Sequence, residues 1–284
     1  MKSISIKTNN NKILHYLLNE FENNSLNETY ISIKDFSHYK NIILHHKQNH
    51  ALFINKISNT LTKCILFFYE KQLITDFINL NYFYFSSQEK KQILSRTLDI
   101  INSEENSAKK IDFINNTIFE YLTSNHSLYI TGFVNFRLYN YLDFLNEKID
   151  FSVNKFLIDR EYIEFINILR LYINSESIHS TTRHLHLIYK NKTSIITNDN
   201  KEIISCNDNI AKAKYISDIS FSANDLALNS LLNLLPNKIT IHLVDGIVDE
   251  FINTLKLIFQ ERIVICNECD ICNMYKCKEN ISKN

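Results

Sequence analysis

Only 2 Gly and 1 Pro occur among the 284 residues. Loops that cradle phosphate need several glycines, because bare backbone must approach the anion. Gly132 and Gly246 stand far apart, so neither a P-loop nor a dinucleotide fingerprint can be assembled. A G-x-S-x-G elbow and an H-E-x-x-H helix are missing as well, which removes the common hydrolase and zinc-protease motifs. Net charge is absent too, 31 Lys+Arg balancing 31 Asp+Glu. Nucleic-acid binding draws most of its affinity from neutralised phosphates, so this balance argues against a nucleic-acid partner. The lysine runs EKK at 89–91 and AKK at 108–110 lie in mixed-charge helical stretches and read as solvated faces.

Long apolar runs are also lacking. The greasiest, CILFFY at 64–69, is far too short to cross a bilayer. The start MKSISIKTNNNK turns polar before any signal-peptide core can form. The expectation is a cytoplasmic protein without membrane insertion, whose clustered cysteines bind metal or stay reduced. An apolar fraction of 45% and a charged fraction of 22% are those of a globular chain, and its length allows one large domain or two small ones. Abundant Ile and Asn follow from AT-rich codons and carry no functional information.

Periodicity predicts an α+β fold with a largely helical middle. SISIKT at 3–8, TYISIKDF at 29–36 and NIILHH at 41–46 alternate as strands, with helical spacing over 12–21. Residues 1–50 therefore form a small α+β N-terminal piece. A helical core over 51–178 follows, with a serine cap ahead of Glu89. Its proline-free stretch from 130 to 173 is too long for one helix of a compact domain, so a bend is expected near Asp150 or Asp159. From 179 to 272 the period changes to an α+β C-terminal piece. It comprises a β-hairpin over 183–198 with NK as its turn, and a further extended stretch at 201–205. A helix stopped by Pro236 precedes a β-α-β unit over 238–266, with parallel strands and a right-handed crossover. Residues 273–284 are a tail.

Cysteines carry the strongest local signal. Cys266, Cys269, Cys272 and Cys277 are spaced C-x2-C-x2-C-x4-C. Thiolates two residues apart can share one metal from a tight turn. The run also approaches the ferredoxin pattern, but misses its last gap and its proline. Zinc is the favoured cofactor and an iron–sulfur cluster the lesser one, with metal-free thiols as the plain alternative. Cys277 ranks first as the fourth ligand, His242 second, because the His242 strand could lie beside the one ending in Cys266, and a partner chain third. Cys64 and Cys206 are isolated and read as core or loop thiols. His184 and His186 share a strand face, which suits a metal pair or a packed face, with no third ligand in view. Phe133, Val134, Phe136 and Leu138 read as a buried helical face. Arg137 among them would then be buried, and would pair with Asp159, Glu161 or Glu164 or bind an anion.

GFVNFRL at 132–138, REYIEFINILR at 160–170, LLPNKITIHL at 234–243 and the cysteines after IFQERIVIC at 258–266 together resemble the YtxC-like family of endospore-forming bacteria. The resemblance covers roughly residues 108–272 and is expected to take in the N-terminal piece, with Cys277 outside it. It implies a part in sporulation and assigns no chemistry. The reading is thus a non-enzymatic sporulation protein acting through a protein partner or self-association, its cysteines holding structural zinc. A metal- or redox-dependent enzyme using the same cysteines is the alternative.

The glycine inventory generates a first test. Calorimetric titration with ATP, GTP or NAD is expected to give no saturable binding at micromolar levels. Saturable heat from any of the three would refute it.

Overall fold

The computed structural model describes residues 2–23, 29–47, 50–176, 184–204, 222–266 and 268–277. The chain divides into two compact units, Met1–Ile158 and Asp159–Asn284.

In the first unit, β1 (Lys2–Thr8), β2 (Thr29–Asp35), β3 (Lys40–His46) and β4 (Ser127–Tyr129) form one sheet in the order β2-β3-β1-β4. Alternation along β1 buries Ile4, Ile6 and Thr8. The antiparallel register sets Ile4 opposite Leu44 and Ile6 opposite Ile42, so both strands turn the same apolar face inward. Onto this sheet the chain lays α1 (Asn11–Asn23), which buries Ile13, Leu14, Leu17 and Phe21. Five further helices follow, α2 (His50–Phe68), α3 (Glu70–Asn81), α4 (Ser87–Ile101), α5 (Glu104–Ser124) and α6 (Ile130–Arg137), and the first half of a seventh belongs to the same unit. Ser86 and Glu89 close a reciprocal capping box at the start of α4, as the sequence predicts. One continuous apolar cluster joins the sheet to these helices and to Phe156.

The long helical stretch breaks elsewhere than expected. The interruptions fall at residues 125–129 and at Leu138, after which α7 (Tyr139–Glu176) runs for 38 residues through Asp150 and Asp159. It contributes Phe156 to the first core and Ile166 and Ile173 to the second. A helix longer than one compact unit requires is accommodated because it serves two.

Three further expectations need correction. Arg137 is exposed and lies over the Tyr121 ring at 5.8 Å, while Glu164 pairs with Arg160 at 3.6 Å. Phe136 is 81% exposed, whereas Phe133, Val134 and Leu138 are buried. The short α6 ends at Arg137, so the face that a longer helix would have buried turns to solvent. Lys110, read as part of a solvated face, is only 4% exposed.

Lys110 is held in the one place where a buried ammonium is tolerable. Its Nζ donates to both carboxylate oxygens of buried Glu70 at 3.0 Å and to Asn102 Oδ1 at 2.7 Å. The Tyr141 hydroxyl donates to Glu70 Oε2 at 2.8 Å. Burial, followed by the carboxylate beside it, pushes the Tyr141 phenol far up, so it stays a donor. The network ties together the start of α3, the end of α4, α5 and α7.

In the second unit, β5 (His184–Lys190), β6 (Thr193–Thr197), β7 (Lys238–Leu243) and β8 (Ile263–Cys266) form a sheet in the order β6-β5-β7-β8. The β5–β6 hairpin turns at Asn191 and Lys192, both with positive φ, the geometry that a two-residue hairpin favours. Beyond it, Ile203 makes a single bridge to Thr197, and Ser205 lies outside the described residues. Helix α8 (Ala223–Leu234) ends at a left-handed Leu235 just before Pro236. Helix α9 (Glu250–Phe259), capped by Asp249, links β7 to the parallel strand β8. Helix α10 (Asp270–Cys277) follows.

Period-two alternation gives this sheet two unlike faces. Leu185, Leu187, Tyr189, Ile196, Ile239 and Ile241 pack with α8, α9 and the end of α7 in an apolar core. His184, His186, Thr240, His242 and Cys266 occupy the alternate positions.

Removing one partner of a buried ion pair typically costs about 3–5 kcal/mol. Lys110→Met strands the Glu70 carboxylate and should lower stability by about that much, read as a fall in the denaturant midpoint. Replacing both partners, Glu70→Leu with Lys110→Met, should recover most of the loss. A Lys110→Met penalty below about 1 kcal/mol would contradict the network's role.

Candidate metal centre

Strand register builds the centre. β7 and β8 run parallel with His242 directly opposite Cys266, so the imidazole and the thiol stand side by side on the face away from the core. Cys266 is the last residue of β8. The chain then turns, and Cys269 immediately precedes α10, its carbonyl accepting the amide of Asn273 at 3.0 Å. Cys272 lies in the first turn of α10 and is fully buried. Lys190 on β5 donates to the Tyr275 carbonyl at 2.8 Å, holding α10 against the sheet.

The four side chains converge. His242 Nδ1 lies 3.3 Å from Cys269 Sγ and 3.5 Å from Cys272 Sγ. Cys272 Sγ lies 3.8 Å from Cys269 Sγ and 3.9 Å from Cys266 Sγ. All four donor atoms fall within 4.8 Å of one another. Bonds of about 2.3 Å to sulfur and about 2.0–2.1 Å to nitrogen, at tetrahedral angles, require S···S edges near 3.8 Å and S···N edges near 3.5 Å. Four of the six separations match those edges closely, and the remaining two, from Cys266 to Cys269 and to His242, stay within 4.8 Å. One tetrahedral ion could be reached from these donors with small side-chain adjustment.

Electrostatics suit the same use. Burial, with His186 and His184 nearby, pushes His242 down to about 4, keeping the imidazole neutral. Burial and the adjacent thiols push Cys266 up to about 12. Burial opposes ionisation of Cys269 as well, but the amides of Cys272 and Ile271 and the neighbouring thiols outweigh it and lower this thiol. A helix N-terminus favours a thiolate in this way.

Behind His242 lies a second polar group. His242 Nε2 is 2.9 Å from His186 Nδ1, and His186 Nε2 is 3.1 Å from Asp199 Oδ1. His184 Nδ1 approaches the same Asp199 oxygen at 2.7 Å, while its Nε2 meets Thr240 Oγ1 at 2.8 Å. His184, His186 and Asp199 also form a cluster of donors within 4.8 Å. The two histidines thus do share a face, and the missing third member is Asp199. Sequence reading passed over it as a turn residue. The available signal was its position two residues past Thr197, which pairs with His186.

Among the described residues, Cys64 stands apart from this centre. Cys64 is buried in α2, and burial pushes its thiol up to about 12, as befits a core thiol. Cys206 lies outside the described residues. Cys277 ends α10, and its side chain is likewise outside the described residues.

A model of the YtxC-like family matches residues 55–264. The match starts earlier than the resemblance seen in the sequence, and includes His184, His186, Asp199 and His242. It stops just short of Cys266. No curated protein and no solved structure matches the chain. With most of its length inside the matched span, the chain belongs to the YtxC-like family.

Proposed function

We propose that His242, Cys266, Cys269 and Cys272 bind one zinc ion with a structural role. The protein is then a non-enzymatic, metal-stabilised scaffold that acts through a protein partner or self-association. The observation that supports this reading is the convergence of four donors within 4.8 Å, four of whose separations match the edges of a tetrahedron around one ion. Four protein donors fill a zinc coordination sphere, and catalytic zinc keeps a position open for water or substrate. Three sulfurs and one imidazole favour zinc over hard cations. An iron–sulfur cluster holds several irons, and its ligands stand farther apart than donors around a single ion. Membership of the YtxC-like family supports a part in sporulation, and the balanced charge supports a cytoplasmic protein partner over nucleic acid. Among the described residues, no helix is long and apolar enough to cross a membrane.

Metal analysis of untagged protein is expected to give one zinc per chain and a colourless solution. Cys269→Ser and His242→Ala should each lose the ion, whereas Cys277→Ser should retain it. Zinc at a thousandfold excess over its dissociation constant adds about 4 kcal/mol of stability. Chelation should therefore lower the melting temperature and leave the three thiols open to alkylation. Substoichiometric metal with freely titratable thiols in the native protein would overturn the reading. Visible charge-transfer absorbance with bound iron would replace it with the cluster.

A further inference from the structure

We propose that His186 and Asp199 are positioning residues of the metal centre, setting the tautomer of His242 and extending the ion's hold across all four strands of the sheet. This rests on the zinc reading above.

Proton accounting along the hydrogen bonds carries the argument. His242 points Nδ1 at the thiols and Nε2 at His186. An ion on Nδ1 takes that lone pair, so the ring proton must sit on Nε2. Across 2.9 Å it can be donated only to an unprotonated Nδ1 of His186. The His186 proton then sits on Nε2, where it is donated to Asp199 Oδ1. Each atom in the chain has one role, and the roles agree.

Reversed polarity fails. If His186 carried its proton on Nδ1, it would donate to His242 Nε2, and the His242 proton would sit on Nδ1. That proton would occupy the ligand position facing Cys269 and Cys272. Asp199 is the group that selects the working polarity, since a carboxylate accepts and cannot donate while ionised. Its hydrogen bond to His186, with His184 alongside, holds the carboxyl below the usual carboxylate range. His184 donates from Nδ1 to the same oxygen and accepts from Thr240 Oγ1 on Nε2, which keeps the carboxylate in place.

The same accounting decides what the His184–His186–Asp199 cluster can hold. A second ion on His186 Nε2 would drive its proton onto Nδ1, against the Nε2–H of the loaded His242. While His242 is a ligand, the cluster therefore supports the first ion and takes none of its own. Metal-bound histidines are commonly oriented through their second nitrogen in this manner. Here the path is unusually wide. It passes from Cys266 on β8 to His242 on β7, His186 on β5 and Asp199 in the turn after β6. One ion thus braces the sheet laterally on the face opposite its apolar core.

The test is competition against a chromophoric zinc chelator, with metal counted per chain. The wild-type chain should bind one ion. Asp199→Ala and His186→Leu should still bind one, but with affinity reduced by about 10–100-fold. His186→Gln should retain more affinity than His186→Leu, because its side-chain carbonyl can accept the His242 Nε2 proton. Asp199 is exposed, so metal-free Asp199→Ala should melt with metal-free wild-type protein, which a purely structural role would not allow. Hydrogen exchange at Asn198, Lys201 and Ile204, whose amides close the turn after β6, should slow on zinc binding in wild-type and not in Asp199→Ala. Wild-type affinity in both Asp199→Ala and His186→Leu would overturn this proposal and leave the zinc reading intact. Two ions per wild-type chain would overturn it by making the cluster a site of its own. A wild-type chain that binds no ion would overturn both.

Discussion

The pairing of His242 with Cys266 across the parallel β7–β8 ladder is the constraint on which the C-terminal unit turns. Parallel neighbours place paired residues on one face at strand spacing, close enough for a nitrogen and a sulfur to share an ion. A register slip of one residue would send one donor into the apolar core. Ile241 and Ile265, the preceding pair, secure the register, because Ile241 is fully buried on the other face. Hydrophobic burial thus fixes the position of a polar centre that lies on the opposite side of the sheet. Cys269 and Cys272 need only a turn and one helical turn to reach it.

The two units answer the problem of buried polarity differently. In the first, Lys110 and Glu70 are enclosed by helices and satisfied by each other, Asn102 and Tyr141. Such a pair contributes little net stability over a well-packed apolar substitute, yet its loss on one side is costly. It constrains how α3, α5 and α7 can pack more than how tightly. In the second unit the polar side chains are gathered on one sheet face, and each histidine nitrogen in the chain has a partner. Ordered directionality, more than burial, is what that network provides.

Much of this was legible in the sequence, for reasons that differ by element. The hairpin at 184–197 and the β-α-β unit could be read because period-two alternation and turn residues are local signals. His242 could be named as a candidate ligand because topology places consecutive β-α-β strands side by side, though its register against Cys266 needed the folded core. Asp199 left only the faint signal of hairpin register: its role depends on a contact with His186 thirteen residues away, made across a hairpin of ordinary appearance. Arg137 and Lys110 failed in opposite directions for one reason. Burial of a charged side chain depends on which neighbouring helix supplies a partner, and that is a non-local fact. Arg137 has the solvent-facing end of a short helix, and Lys110 has Glu70 forty residues before it. The break at 125–129 was hidden because the three-residue strand β4 is defined by its pairing with β1, not by its own pattern.

What the ion would replace is an apolar core. Helix α10 has eight residues, too few to persist alone in water, and Cys272 is its one fully buried side chain among the described residues. Its other anchors include Lys190 on the Tyr275 carbonyl, the thiol of Cys269 and the Lys276–Glu268 pair. Four coordinate bonds at one point can substitute for the many weak contacts that such a short helix cannot make. The arrangement also explains why the donors divide as they do. His242 and Cys266 come from strands already ordered by the core, so they offer a half-built site without metal. Cys269 and Cys272 belong to the segment that the ion must recruit. The amides at the start of α10 lie beside Cys269 and favour its thiolate. Those amides converge on it only once the first turn has formed, so an ion held there would favour the folded helix.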